Sequence, residues 1–235
     1  MTVLEHLEEF RRRLIISLAA VLAGGIIAYV LYVPILDFLR SPLDEAGEIG
    51  GVSVNLYLSG VTTGFVLRLK VSAFAGVILA LPVVMFQLWR FITPGLDRRE
   101  RRYAIPFVVS AVVLFALGTY MAFLVMPVGI KFLLGFVEPA EPLLQLPEYL
   151  SFVMVMVIGF GAAFEFPLVL VFLGLVGVVS SRALGKRRRL ALLLAFVVAA
   201  FATPSGDPLT QTMMAVPLYI LYELSIVVIR FVLKR

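Results

Sequence analysis

A single carboxylate, Glu165, lies in the middle of a long apolar run and constrains this chain more than any other residue. The run covers residues 150–181, and Glu165 is its only formally charged residue. Apolar stretches beyond roughly 18 residues are typical of membrane-spanning helices. A charge near the centre of a bilayer costs at least about 2.5–3.5 kcal/mol, so such a residue usually faces other protein or a hydrated cavity. The run therefore predicts an integral membrane protein with a functional polar group inside the bilayer.

The composition agrees with membrane insertion and excludes several classes of function. The chain is 62% hydrophobic, with a mean hydropathy of +1.07, whereas soluble domains are nearer half apolar. It has no cysteine, and its single histidine precedes the first apolar segment, so neither a zinc site nor an intramembrane histidine relay is expected. An aspartyl protease would need two facing carboxylates, and no aspartate that could face Asp207 lies deep in a predicted span. The sequence predicts no catalytic residue, no metal, no cofactor and no nucleic-acid binding.

Six apolar segments predict an all-α membrane protein with six transmembrane helices in one polytopic domain, residues 1–235. The expected spans are about 14–33, 71–89, 104–126, 150–179, 190–202 and 212–229. The fifth and sixth spans are expected to be short; the fifth would measure only about 20 Å, against a hydrocarbon core of about 30 Å. Prolines in or beside the helices are expected to bend them, namely Pro82, Pro106, Pro127, Pro167 and Pro217.

The basic residues predict the orientation of these spans. All but four of the 20 Lys and Arg residues fall near the N-terminus, in 90–102, in 182–189 or near the C-terminus. The four exceptions are Arg40, Arg68, Lys70 and Lys131. Cytoplasmic loops collect Lys and Arg, so both termini are predicted to be cytoplasmic.

Two glutamates, Glu9 and Glu100, are predicted among arginines on the cytoplasmic side, and two interpretations remain open for them. They can form local pairs, Glu9 with Arg12 or Arg13 one helical turn away, and Glu100 with a helix cap at Asp97. Alternatively, both accept guanidinium groups from a partner, a task that suits carboxylates because arginine binds them bidentately.

The intramembrane and outer polar residues also allow more than one interpretation. Glu165 can be a structural glutamate bonded to a neighbouring helix, although an intramembrane carboxylate favours a functional role. Thr203 and Gln211 can be structural hydrogen-bonding residues between helices.

Two other classes of protein are also possible: a solute/proton symporter that uses Glu165 as its proton carrier, and a structural scaffold. Symporters usually contain two related halves, and no such repeat is apparent; a scaffold would not need acids held among arginines.

Four blocks of the sequence resemble the TatC family of the twin-arginine protein translocase. Residues 6–14, HLEEFRRRL, are similar to the family's H-L-x-E-L-R-x-R-L opening, with Phe10 in place of the usual Leu. Residues 91–96, FITPGL, with the following Glu100-Arg101-Arg102, resemble its first cytoplasmic loop, and 164–167, FEFP, its fourth span. Thr203-Pro204, Asp207-Pro208 and Gln211 resemble its last outer hairpin. Together the blocks are specific, because they occur in the family's order from one end of the chain to the other.

The resemblance implies a receptor in the cytoplasmic membrane for folded proteins that carry a twin-arginine signal peptide. Glu9 and Glu100 would receive the arginine pair, and Arg11 and Phe91 would shape the site. Transport would be driven by the proton-motive force, without a nucleotide.

The resemblance also implies partner subunits. Glu165 and the short fifth and sixth spans, with Thr203 and Gln211 of the hairpin between these spans, would dock the single-span subunits TatA and TatB, whose membrane helix carries a polar residue. Asp207 and Pro42 are expected to have structural or functional roles in the outer hairpins. Association of the chain with itself in the receptor complex is implied as well.

Overall fold

The chain is almost entirely helical in a computed structural model that describes residues 3–50, 56–92, 103–136, 144–203 and 206–233. The predicted all-α class is thereby confirmed. The helices are α1 (Val3–Val30), α2 (Tyr32–Gly50), α3 (Thr63–Ile92), α4 (Ala104–Leu134), α5 (Leu146–Leu175), α6 (Ser181–Lys186), α7 (Arg188–Ala202) and α8 (Pro208–Phe231). Two short strands, β1 (Leu56–Tyr57) and β2 (Leu144–Gln145), pair in parallel.

Among the described residues, five helices are long and apolar enough to cross a membrane, namely α1, α3, α4, α5 and α8. The expectation of a short sixth span was wrong, because α8 has 24 residues, about 36 Å at 1.5 Å per residue. It starts earlier than predicted because Asp207 caps its first turn and Pro208 occupies a starting position that favours helix entry. By contrast α7 is short, as predicted, with 15 residues or about 22 Å.

The ends of the other long helices also differ from the predicted spans. Helix α3 starts at Thr63 and α4 continues to Leu134, because a helix extends past the apolar segment that hydropathy detects and carries charged residues such as Arg68 and Lys131 beyond it. Helix α5 ends at Leu175 rather than 179. Gly177 follows with a φ of +80°, a left-handed conformation that ends helices and favours glycine.

Helix α2 was not predicted, because its charged residues lower its hydropathy. It is amphipathic: Leu39, Leu43 and Ala46 are buried at helical spacing, and Asp44 is exposed on the other side. Pro42, expected in an outer hairpin, lies inside this helix. The helix is attached to α5 by the hydroxyl of Tyr149, which donates to the carbonyl of Leu39 at 2.9 Å.

The chain forms two compact units, Met1–Phe38 with Gly60–Val112, and Leu39–Ser59 with Val113–Arg235. In the first unit α1 packs along α3, and the two backbones meet at glycines. A Cβ added to Gly76 would lie 2.5 Å from the amide nitrogen of Gly25, and one on Gly24 would lie 2.7 Å from the carbonyl oxygen of Gly76. Small residues of this kind allow membrane helices to approach closely and associate by van der Waals packing.

In the second unit α5, α6 and α8 share an apolar cluster, which contains Leu170, Leu184, Tyr222, Ile226 and Ile229. The Tyr222 hydroxyl donates to the carbonyl of Leu184 at 2.9 Å and so attaches α6 to α8. At the first residue of α7, the guanidinium of Arg188 bonds both carboxylate oxygens of Glu223 on α8, at 2.8 Å each. These contacts hold the start of α7 against α8.

We expect Gly76→Ala to destabilise the protein by about 1–3 kcal/mol, because its methyl group would overlap the backbone of α1. Thermal unfolding in nanodiscs would measure the loss. Gly64→Ala is the matched control, since a Cβ there meets nothing within 4 Å and alanine is the better helix former. Equal melting temperatures for the two variants would contradict the close crossing.

Candidate functional site

The first turns of α1 pack against the last turns of α3 through aromatic side chains. His6 stacks on Phe91 with ring centroids 4.5 Å apart, and Phe10 meets the same ring edge-on at 5.5 Å. His6 and Phe10 are four residues apart and therefore lie on one face of α1. Phe91, predicted from the resemblance as a site residue, thus has its position set by two rings of α1.

Beside these rings Glu9 is held by an ion pair within α1. The Nη2 atom of Arg13 lies 2.8 Å from Oε1 of Glu9, and the exposed fractions of the two side chains are only 17% and 16%. The local pair that remained open in the sequence is therefore formed, with Arg13 rather than Arg12. The Nη1 atom of Arg13 donates to Oε1 of Gln87 at 3.1 Å. Gln87 is buried on α3 one turn before Phe91, so α3 orients Arg13, and Arg13 orients Glu9.

The second carboxylate oxygen of Glu9, Oε2, is buried and has no hydrogen-bond partner within the described part of the chain. A buried acceptor without a donor costs about 1–3 kcal/mol, more when it is charged, so a donor for Oε2 is expected outside the described residues, either from the chain itself or from a ligand. A guanidinium N–H is a well-matched donor for a carboxylate. Arg11 is exposed on the same helix, whereas Glu100 lies outside the described residues.

Glu165 lies inside α5, where the apolar run predicted it. Its Oε1 atom is buried without a hydrogen-bond partner among the residues that the structure describes. Ala162, Phe166 and Val169 are exposed beside it, at positions that share its side of the helix. This face of α5 therefore combines a carboxyl group that lacks a polar partner with exposed apolar surface.

The polar residues of the α7–α8 hairpin make their hydrogen bonds within the hairpin. The Thr203 hydroxyl donates to a carbonyl one turn back in α7 at 2.8 Å, and Nε2 of Gln211 donates to a carbonyl of α7 at 3.0 Å. Asp207 caps α8 by accepting the amide N–H of Thr210 at 2.7 Å, and it also accepts the Thr210 hydroxyl. These contacts support the structural interpretation of Thr203 and Gln211, and none of them involves Glu165.

Two polar residues with specific contacts were missed by the sequence analysis. Gln87 could have been noticed as an amide within an apolar helix, one turn before Phe91. Arg68 lies over the ring of Tyr29 at 4.2 Å and donates to the Tyr29 carbonyl at 3.0 Å, so it fastens the end of α1 to the start of α3. Within the described ranges no group of three or more His, Cys, Asp or Glu residues is placed to hold a metal ion.

The fold defines a polytopic α-helical membrane protein with partly buried carboxylates on its apolar helices. The chain belongs to the TatC family: the family model described as Sec-independent protein translocase protein (TatC) matches residues 5–217. This confirms the resemblance and places the chain in protein transport. Members of this family are components of a translocase and are not enzymes.

Relatives and a solved structure agree with this assignment. The Sec-independent protein translocase protein TatC of Desulforapulum autotrophicum is 42% identical, over 95% of this chain and 82% of that protein. The TatC protein of Frankia casuarinae is 38% identical over 97% of this chain, which spans 65% of the length of the Frankia protein. The crystal structure of a twin-arginine translocase receptor, TatC, is 38% identical, with a TM-score of 0.79 over 98% of this chain and 100% of that one.

We expect the side chains of Arg13 and Gln87 to be energetically coupled through their hydrogen bond. A double-mutant cycle with Arg13→Met and Gln87→Met should give a coupling free energy of about 1.5–3 kcal/mol, the range for a hydrogen bond to a charged group. Unfolding midpoints of the four proteins in nanodiscs would provide it. Strictly additive effects would show that Gln87 does not orient Arg13.

Proposed function

We propose that this protein is the receptor subunit of a twin-arginine translocase and binds the arginine pair of signal peptides at the α1–α3 end. The observation that supports this most is the buried Oε2 of Glu9, which has no donor within the described part of the chain. In the proposal one signal arginine donates to this oxygen. Glu100, in the segment that follows α3, accepts the second, and Arg11 and Phe91 shape the site.

The proposal includes selectivity for arginine over lysine. The guanidinium of Arg13 bonds Oε1 of Glu9 and Oε1 of Gln87, so Glu9 already accepts from one planar guanidinium, and its Oε2 is the oxygen left for a signal arginine. A lysine ammonium is a point donor and cannot bond two acceptors in one plane in the same way. Phe91 adds a ring on which a guanidinium can stack.

The proposed topology has six spans, formed by α1, α3, α4, α5, α7 and α8, with both termini in the cytoplasm and the whole chain acting as one domain in the cytoplasmic membrane. The distribution of Lys and Arg supports it. Helix α7 is about 22 Å long, so the bilayer must thin beside it or neighbouring helices must cover its ends. Export would be driven by the proton-motive force.

The partners proposed are TatA and TatB, at the face of α5 that carries Glu165, and further copies of this chain in the receptor complex. A polar side chain of a single-span partner could bond the buried Oε1 of Glu165, and the exposed Ala162 and Val169 would pack against its apolar residues. Because Thr203 and Gln211 bond within their own hairpin, their contribution to docking would be to hold α7 and α8 in place.

We expect Glu9→Gln and Glu100→Gln to lower the affinity for a twin-arginine signal peptide at least tenfold, since each removes a charged acceptor. Binding of the labelled peptide to purified protein in nanodiscs, beside a twin-lysine peptide, would measure this. Glu8→Gln is the matched control, because Glu8 is exposed on the same helix. Equal or absent binding of both peptides to folded protein would contradict the receptor function and favour a symporter that uses Glu165.

We expect Glu165→Ala to leave peptide binding within about twofold but to reduce co-purification of TatA and TatB several-fold, because a polar contact inside the bilayer is worth roughly 0.6–2 kcal/mol. Glu148→Ala provides the control, since Glu148 is an exposed carboxylate near the start of the same helix. Unchanged recovery of both partners with Glu165→Ala would exclude Glu165 from docking.

A further inference from the structure

A cavity of about 260 Å³ lies between α5, α7 and α8, within the second unit. Its walls are apolar and include Phe166 and Leu170 of α5, Leu190, Leu194 and Val198 of α7, and Leu218 of α8. The exposed fractions of Phe166, Leu190 and Leu194 are 47%, 49% and 44%, so the cavity is open on one side. An apolar opening on membrane-spanning helices is accessible to lipid.

One end of this cavity is charged. Arg187 belongs to the lining, and no carboxylate within the described residues forms an ion pair with it. The adjacent Arg188 differs, because its guanidinium is occupied by Glu223. The other polar group of the lining, the Tyr222 hydroxyl, is occupied by the carbonyl of Leu184. Arg187 is therefore the cation that remains available to a ligand in this cavity.

The shape of the cavity limits what can occupy it. Leu190, Leu194 and Val198 recur every four residues and form a strip about 12 Å long that begins one turn after Arg187. An apolar strip that is open on one side matches a hydrocarbon chain. The guanidinium of Arg187 at its end, unpaired within the described residues, matches an anionic headgroup, whereas the apolar face of a partner helix would leave that charge unpaired.

We infer that the cavity is a binding site for one anionic phospholipid, whose phosphate is held by Arg187 and whose acyl chain lies along Leu190, Leu194 and Val198. A guanidinium binds phosphate through paired N–H donors, and basic pockets between membrane helices are known to hold anionic headgroups. The exposed Arg182, Lys186 and Arg189 add to the local positive potential. The bilayer is expected to thin beside the short α7, which draws lipid headgroups inward. The basic residues at the start of α7 therefore lie closer to the bilayer centre than they would at the end of a full-length span.

The site is distinct from the proposed signal-peptide site, and it can be tested without signal peptides. Native mass spectrometry of the purified protein, exchanged into mixed detergent with equal phosphatidylglycerol and phosphatidylcholine, would count retained lipids. We expect preferential retention of one phosphatidylglycerol, and a loss of that preference of at least fivefold in Arg187→Gln. Arg182→Gln is the matched control, since Arg182 belongs to the same basic segment but does not line the cavity.

Further measurements distinguish a bound phospholipid from its headgroup alone and from a partner helix. Glycerol phosphate alone should not raise the melting temperature, because it lacks the acyl chain, whereas phosphatidylglycerol should raise it in the wild type and not in Arg187→Gln. Equal retention of the two lipids, or equal losses in Arg187→Gln and Arg182→Gln, would overturn the proposal. A photo-cross-linker at position 194 gives a further test. Efficient cross-linking to a purified single-span partner, not reduced by added phosphatidylglycerol, would also overturn the proposal, because the cavity would then hold a helix.

Discussion

The close approach of α1 and α3 is the constraint on which the proposed site depends. Because Gly24, Gly25 and Gly76 carry no side chains, the two backbones come into contact, and the helices run side by side up to the ends that carry Glu9 and Gln87. The Arg13 guanidinium can bridge these two side chains only at such a spacing, with bonds of 2.8 and 3.1 Å. A wider helix pair would leave Glu9 on a solvated surface, where an ion pair contributes little.

The hydrogen bonds of the polar residues separate structural roles from binding roles. Thr203, Asp207 and Gln211 each use a polar atom within the α7–α8 hairpin, which accounts for the burial of Thr203 and Asp207 without a ligand. Glu9 and Glu165 each retain a buried carboxylate oxygen with no partner among the described residues. Since buried polar groups are seldom left unpaired, a donor from beyond the described residues is expected at each of these two oxygens.

Much of the fold could be predicted because a bilayer requires long apolar helices, and the short α7 and the pairing of Glu9 with an arginine one turn away followed from local spacing. The amphipathic α2 could not be found from hydropathy, since its charges mask the buried stripe of Leu39 and Leu43. The length of α8 was underestimated because a polar first turn, capped by Asp207, resembles a loop. The contact between Gln87 and Arg13 could not be predicted, because it joins residues 74 positions apart and no local pattern reveals it.

The central claim is that the α1–α3 end, with Glu9 and Phe91, receives the arginine pair. The most direct measurement is photo-cross-linking of a twin-arginine precursor from a benzophenone side chain at position 91, compared with position 120, where Tyr120 is exposed on α4. Strong cross-links are expected from position 91 to residues next to the arginine pair, and Glu9→Gln should abolish them; cross-links from position 120 should be weak. Cross-links of equal strength from both positions, or unchanged by Glu9→Gln, would contradict the central claim.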